Sequence, residues 1–289
     1  MVQEQRFAAV RIVTDSSSDL TDEQVADFAI TVVPLTVRFG DQEFVDRRDL
    51  TPQTFWAKVA ASATLPETAA PSPGAFEAAF RQAAADGCSG VVCINLSSKL
   101  SATYGVAVLA AKAVADVIDV RVIDSLSITS GLGSMAVAAA ARAAEGATID
   151  EVESIVRARI GKTKVVAAID TLDNLKKGGR IGGAQAFLGS LFSIKPLIDV
   201  SSGAVVEAGK QRTRAKALIA LADIAKADLA AHGTISDLSL RHGDATDVEA
   251  MVDLLSTHFP RESISLGQIG AIIGTHSGPR VMGLTYLVG

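Results

Sequence analysis

The hydrophobic and polar positions in the first half of the chain alternate between strand-like and helix-like segments. The apolar run at 91–94 is typical of a buried strand, the segments 10–14 and 120–124 also predict strands, and each of the three leads through a polar loop into a helix-like segment. Repeated strand–loop–helix units imply right-handed crossovers and a mostly parallel sheet with helices on both faces. We therefore predict an N-terminal parallel α/β domain over residues 1–160.

Local signals mark where several elements begin. Residues 31–39 are β-branched and alternating, which predicts a strand that turns at Gly40 into a hairpin. Residues 66–73 are rich in proline and are predicted to form a loop. Helix starts are indicated by two capping boxes and by two Ser/Thr-Pro pairs, namely Thr21 with Gln24, Thr148 with Glu151, Thr51-Pro52 and Ser72-Pro73.

The second half of the chain has a different pattern. A turn at 201–203 separates two strand-like segments, which indicates a hairpin and hence a mixed or antiparallel sheet. Helices are predicted at 184–193 and 213–231. We therefore predict a C-terminal α+β domain over residues 161–289, with a ligand bound between the two domains.

Composition narrows the class of protein. Hydrophobic residues make up 48% of the 289 positions and aromatic residues only 4%, so the core consists mainly of Ala, Val, Ile and Leu. The net charge of −5 argues against a general nucleic-acid-binding protein. No apolar run approaches the roughly 20 residues of a membrane span, so we expect neither a signal peptide nor stable membrane insertion.

The cysteines and histidines give no metal-binding pattern. Cys88 and Cys93 are the only cysteines, and their spacing suits neither a disulfide scaffold nor a zinc site. A reduced, cytoplasmic location is expected for such a chain. The four histidines also lack the spacing of metal ligands.

Serine-rich loops carry the first indication of chemistry. Ser97, Ser98 and Ser101 lie where a predicted strand leads into a predicted helix. Free backbone N–H groups and the positive end of the helix dipole favour anions at such a place. Loops at 15–19 and 125–130 occupy equivalent strand ends, where ligands of parallel sheets bind. The pattern predicts a site for a carboxylate or a phosphate, although helix capping alone is the simpler interpretation of any single serine.

Motifs that would indicate catalysis are weak or missing. The glycines at 131–133 begin too far from the preceding strand for a dinucleotide fingerprint, and Gly161-Lys162-Thr163 precedes a strand instead of opening a helix. The chain has no Gly-x-Ser-x-Gly nucleophile turn. We therefore assign no catalytic residue, and an enzyme that acts on a phosphorylated or carboxylated small metabolite at the serine loops stays as the alternative function.

Basic residues in glycine-rich segments are further candidates for anion binding. Arg180 lies between glycine pairs, in a segment predicted to be a flexible loop, and its guanidinium is suited to a carboxylate, although a solvated turn explains it equally well. His276 is predicted to lie in a turn after an apolar strand, where it either donates to an anion or is simply exposed. The basic segment 210–216 is either a docking surface for an acidic partner or a solvated face.

The order and spacing of seven segments resemble the DegV family of bacterial fatty-acid-binding proteins. The resemblance extends over the whole chain. The segments that carry it are 14–20, 66–73, 96–104, 122–125, 175–181, 195–198 and 274–279.

The resemblance implies a lipid-binding protein and not an enzyme, with a long-chain fatty acid as ligand and no cofactor. The carboxylate is then held by the hydroxyls of Thr68 and Ser101, with Ser97 and Ser98 beside them. Arg180 and His276 are similar to the family's basic residues near the head group. Some members of the family present the bound acid to a separate ATP-dependent kinase subunit, so a fatty-acid kinase is the expected protein partner.

Overall fold

The computed structural model describes residues 9–185 and 194–289. Its strands are β1 Val10–Asp15, β2 Thr31–Val33, β3 Thr36–Phe39, β4 Gln42–Val45, β5 Glu67–Ala69, β6 Gly90–Asn95, β7 Asp119–Asp124, β8 Thr163–Ala168, β9 Lys195–Asp199, β10 Val206–Gln211, β11 Ile235–His242, β12 Ser265–Gln268 and β13 Met282–Val288. Its helices are α1 Asp22–Asp27, α2 Pro52–Ala61, α3 Pro73–Ala85, α4 Thr103–Ala113, α5 Thr129–Ala144, α6 Ile149–Arg159, α7 Asp173–Lys177, α8 Arg214–His232, α9 Val248–Ser256 and α10 Ala271–Ser277.

The first sheet confirms the predicted parallel arrangement. Its four strands lie in the order β2-β1-β6-β7, and every neighbouring pair is parallel. Neighbouring residues of a strand point to opposite faces, and both faces are apolar. Ile12 and Val92 pack against α5 and α6, whereas Val13 and Val91 pack against α3 and α4. Helices therefore cover both faces, as the sequence pattern predicts.

The second sheet is mixed, which confirms the predicted fold class. Its six strands lie in the order β10-β9-β8-β13-β11-β12, and only the pair of β11 with β12 is parallel. One face packs against α8 and α9 through residues such as Val166 and Leu240. The other face, which includes Val165 and Ile198, packs against residues from the first half of the chain. The division of the chain between residues 160 and 161 stays a prediction.

The prediction of one continuous strand over 31–39 was wrong. The segment forms β2, which pairs with β1, and β3, which belongs to a small antiparallel sheet in the order β4-β3-β5. Pro34 lies between the two strands and has no backbone N–H to donate to a ladder. The chain therefore leaves one sheet and enters another at this proline.

Residues 66–73 are not a loop throughout, because they contain the short strand β5. The strand pairs antiparallel with β3, and Thr68 lies opposite Val37 in the register. A three-residue strand bounded by prolines has too few positions to show an alternating pattern, so it cannot be recognised from the hydrophobic pattern. The pairing fixes the backbone position of Thr68.

An apolar core joins the two halves of the chain. Phe55 and Trp56 of α2 pack with Ile269 and Ile272, and the indole N–H of Trp56 donates to the carbonyl oxygen of Ile269 at 3.0 Å. The ring centroids of Phe55 and Trp56 lie 4.9 Å apart. This packing sets α10 beside β3 and β5.

Most of the helix predicted at 184–193 cannot be compared with the structure, because residues 186–193 lie outside the described residues. Within the described ranges, no helix is long and apolar enough to cross a membrane.

Candidate functional site

A small cavity of about 70 Å³ lies between the mixed sheet and the serine loop that follows β6. Four of the six predicted site residues line it, namely Thr68, Ser101, Arg180 and His276. The rest of its wall consists of Ser277 and ten aliphatic residues, namely Leu35, Leu96, Leu100, Ile128, Leu175, Ile198, Val200, Val205, Ile272 and Ile273. The cavity therefore combines an apolar wall with a small polar group at one place, as ligand sites commonly do.

His276 and Thr68 form the centre of this polar group. The Nε2 atom of His276 lies 2.9 Å from the hydroxyl oxygen of Thr68. His276 belongs to the last turn of α10, so its prediction as part of a turn after a strand was wrong. The apolar run 271–274 is too short to distinguish a buried helix from a strand by its pattern.

Burial makes His276 a neutral side chain at pH 7. The pKa falls from 6.5 to about 4, first because burial disfavours the charged imidazolium and second because the positive charge of Arg180 is nearby. The Nδ1 atom of His276 is buried and has no hydrogen-bond partner among the described residues. Gly178 lies directly against this atom, and a Cβ at position 178 would collide with it.

Arg180 is held in place by backbone carbonyl groups. Its Nε donates to the carbonyl oxygen of Leu100 at 3.0 Å, and its Nη1 donates to that of Gly178 at 2.6 Å. It forms no ion pair with a carboxylate in the part of the chain that the structure describes. The cavity wall, as far as it is described, contains no acidic residue. Arg180 is therefore a positive charge available to an anion.

Ser101 belongs to the segment that leads from β6 into α4. Its hydroxyl lies 2.9 Å from that of Thr103 and accepts a hydrogen bond from the Thr103 backbone N–H at 3.3 Å. Ser101 thus lies two residues before the start of α4 and lines the cavity.

Ser97 and Ser98 do not line the cavity. The buried Ser97 hydroxyl donates to the carbonyl oxygen of Gly203 at 2.6 Å, which ties the serine loop to the hairpin between β9 and β10. Ser98 is exposed, and its backbone N–H donates to Asp124 at 3.1 Å. The structure therefore brings four of the predicted residues together at the cavity, whereas Ser97 and Ser98 lie outside it.

The Asp15 carboxylate organises the loops at the ends of β1 and β6. Its Oδ1 accepts hydrogen bonds from the backbone N–H and the hydroxyl of Ser17, and its Oδ2 accepts from the Leu96 N–H at 2.9 Å. Burial raises the pKa of Asp15, and these hydrogen bonds oppose the rise. Asp15 thus holds the ends of the two strands together, and no residue of the serine-rich loop at 15–19 lines the cavity.

Sequence reasoning missed Ser277 and Gly178. The Ser277 hydroxyl is buried at the cavity wall and has no hydrogen-bond partner among the described residues. Both residues lie at helix ends, and the sequence around them does not distinguish a ligand contact from an ordinary helix end. In the described ranges, no cluster of His, Cys, Asp and Glu side chains is arranged to hold a metal ion.

Comparison with known proteins gives a consistent family assignment. The family model described as "Uncharacterised protein, DegV family" matches residues 9–288. A DegV domain-containing protein of Streptomyces coelicolor is 36% identical over 277 residues, which cover 95% of this chain and 97% of that protein.

Solved structures of related proteins share the fold. A DegV family protein from Thermus thermophilus, described as binding fatty acid, has a TM-score of 0.86 and 31% identity and covers 97% of this chain and 99% of its own. DegV from Bacillus subtilis, described as a fatty-acid-binding protein, has a TM-score of 0.86 and 26% identity with the same coverage. On this evidence, and with a family model that matches almost its whole length, the chain belongs to the DegV family.

Proposed function

We propose that this protein binds a long-chain fatty acid such as palmitate, and that it is a binding protein and not an enzyme. The observation that carries the proposal is that one cavity combines the aliphatic wall with Arg180, which has no acidic partner among the described residues. The fatty-acid-binding descriptions of the Thermus and Bacillus relatives support it.

The polar end of the cavity matches the chemistry of a carboxylate. Arg180 has an Nη2 without a hydrogen bond in the described part of the chain, and Thr68 and Ser101 add hydroxyl donors. Hydrogen bonds between a guanidinium and a carboxylate are about twice as strong as those between neutral groups. Neutral His276 donates or accepts according to its tautomer and orients the Thr68 hydroxyl.

The acyl chain supplies most of the affinity, because each buried methylene contributes about 0.8 kcal/mol. The cavity of about 70 Å³ is small beside the roughly 300–1,000 Å³ of pockets that enclose drug-sized ligands. The aliphatic walls therefore move apart when the chain enters. The hairpin at 200–205 is the segment that opens in this proposal, because its Val200 and Val205 line the cavity. Two hydrogen bonds hold it to the serine loop, from the Ser97 hydroxyl to the Gly203 carbonyl and from Lys99 to the Ser202 carbonyl at 2.7 Å.

Beyond binding, we propose that the protein presents the bound acid to a separate ATP-dependent fatty-acid kinase in the cytoplasm. Lys176 and Lys177 are exposed beside Arg180, which offers an acidic partner a positively charged approach to the head group. The two buried cysteines, Cys88 and Cys93, form no disulfide bond in the described ranges, as is usual in a reducing compartment. Lipid transport and fatty-acid metabolism are the cellular roles that follow from such a carrier.

The proposal is tested by palmitate titration of Thr68→Val and Ser101→Ala beside the unaltered protein. Each change removes one hydroxyl at the head group, so we expect about fivefold to tenfold weaker binding from the loss of one hydrogen bond. Circular dichroism is expected to stay unchanged, because neither side chain belongs to the core. Ser98→Ala is the matched control, because Ser98 is exposed and lies outside the cavity. Equal affinity in all four proteins would remove these hydroxyls from the site.

The kinase role has its own test. The palmitate-loaded protein is mixed with ATP and a candidate kinase, and acyl phosphate is trapped with hydroxylamine as a hydroxamate. Product that depends on both proteins supports presentation to a kinase. Palmitate binding without product from any candidate kinase of the same organism would limit the function to lipid binding.

A further inference from the structure

A second cavity, of about 280 Å³, lies between the parallel and mixed sheets. It shares no described lining residue with the cavity around Thr68, Ser101, Arg180 and His276, which is called the fatty-acid cavity below. The turn that follows β1, helix α5 and strand β11 form most of its wall. The wall is more polar than that of the fatty-acid cavity and includes six serines, namely Ser18, Ser130, Ser134, Ser239, Ser263 and Ser265. Such a hydroxyl-rich wall is unsuited to an acyl chain.

Arg241 is the central charged group of this second cavity. It is only 5% exposed, and its Nε donates to the hydroxyl oxygen of Ser130. Within the described ranges, its two terminal nitrogens have no hydrogen bond, and no carboxylate lies within ion-pair distance. The guanidinium packs against Gly267, where a Cβ would collide with it. A buried guanidinium whose N–H groups lack acceptors is unfavourable, and an oxyanion supplies such acceptors.

The acidic residues of the cavity are already engaged. Asp237 forms an ion pair with Arg159 at 2.6 Å. Asp19 accepts hydrogen bonds from the Gly270 N–H at 3.0 Å and from the Thr129 hydroxyl. Their carboxylates therefore balance the positive charges without satisfying the terminal N–H groups of Arg241.

Two hydroxyls add donors beside Arg241. Ser130 accepts hydrogen bonds from Arg241 and from the Ser239 hydroxyl, the latter at 3.1 Å, so its own proton stays available. The Ser18 hydroxyl is fully buried, lines the cavity and has no hydrogen-bond partner among the described residues. Arg241, Ser130 and Ser18 thus line one cavity, whose volume of about 280 Å³ is large enough for a small ligand.

We propose that this second cavity binds a small oxyanion, a phosphate or carboxylate group, through Arg241 with Ser130 and Ser18. A guanidinium matches both groups, because its fork of N–H donors fits two oxygens of either. The site is separate from the head-group residues of the fatty-acid cavity, so it adds a second ligand to the protein and does not depend on the proposed function.

The test is isothermal titration of the protein at saturating palmitate with inorganic phosphate and, separately, with acetate. Palmitate occupies the head-group site, so that Arg180 does not capture the probe. We expect saturable binding of at least one probe, weakened about tenfold or more by Arg241→Gln, because charge-assisted hydrogen bonds are lost. Arg48→Gln is the matched control, because Arg48 is exposed and lines neither cavity, and it is expected to leave binding of the probe unchanged. Preference for phosphate or for acetate identifies the class of oxyanion.

A second variant guards against misfolding. If Arg241→Gln does not fold, Ser130→Ala carries the test, and we expect about threefold or more weaker binding from one lost hydrogen bond. Absence of binding by both probes to the unaltered protein would overturn the proposal. It would also be overturned if Arg241→Gln or Ser130→Ala bound the probe as tightly as Arg48→Gln.

Discussion

Replacing His276 by Gln is expected to change how the stability of the ligand-free protein depends on pH. The pKa of His276 is about 4 in the folded protein and about 6.5 in the unfolded chain. Above pH 6.5 both states hold the neutral imidazole, so the stability is fully present. As the pH falls from about 6.5 to 4, the unfolded chain binds a proton that the folded protein does not, and the folded state is destabilised.

The size of this effect follows from the pKa difference. Each pKa unit corresponds to about 1.4 kcal/mol, so the free energy of unfolding falls by about 3 kcal/mol over this range. Glutamine keeps a polar group near Thr68 but does not titrate. The free energy of unfolding of His276→Gln is therefore expected not to show this fall of about 3 kcal/mol. Urea unfolding at several pH values between 4 and 7 measures the difference between the two proteins.

Other buried groups titrate in the same range with the opposite sign. Burial raises the pKa of Asp19 and of Asp46 to about 6, so protonation of these carboxyls favours the folded state as the pH falls. Their contribution is common to both proteins and cancels in the comparison. Parallel stability curves for the unaltered protein and His276→Gln would refute the account of a buried, neutral His276.

Two further changes test how the fatty-acid cavity is built. Ser97→Ala removes the hydrogen bond to the Gly203 carbonyl, which is worth about 1 kcal/mol, so the hairpin opens more readily and palmitate is released about fivefold faster in stopped-flow displacement. An unchanged release rate would show that the hairpin is not the segment that opens. Gly178→Ala places a methyl group against Nδ1 of His276 and displaces the ring, so palmitate titration is expected to give at least fivefold weaker binding. Undiminished affinity would mean that His276 has no fixed place at the head group.

Much of the architecture could be predicted because the sequence pattern is strong where strands are buried on both faces. The run 91–94 around Val92 is apolar without interruption, and its repetition as strand–loop–helix units along the chain favoured a parallel sheet. Helix starts were equally clear, since the Thr21, Thr51 and Thr148 side chains all cap helices in the structure. Local chemistry decides these features, so the local sequence shows them.

The failures lie where distant residues decide the structure. Pro34 separates two sheets, but the alternating pattern on either side of it is the same. The strand that carries Thr68 exists only through its pairing with β3, and α10 is defined by packing against Phe55 and Trp56.

The candidate site was predictable only in part. Residue type identified Arg180 and His276 as anion-binding candidates, but their meeting with Thr68 depends on tertiary packing. Ser97 was indistinguishable from Ser101 in sequence, yet its hydroxyl faces the Gly203 carbonyl. Several serines near the end of a strand therefore indicate where a binding loop lies, but they do not show which hydroxyl contacts the ligand.

The most direct test of the central claim is mass spectrometry of the purified protein, first under native conditions and then after denaturation and organic extraction. The account predicts one long-chain fatty acid per protein chain, retained in the native spectrum and recovered in the extract. A protein that carries no lipid and takes up no added palmitate would contradict it, and would favour an enzyme acting on a small phosphorylated or carboxylated metabolite.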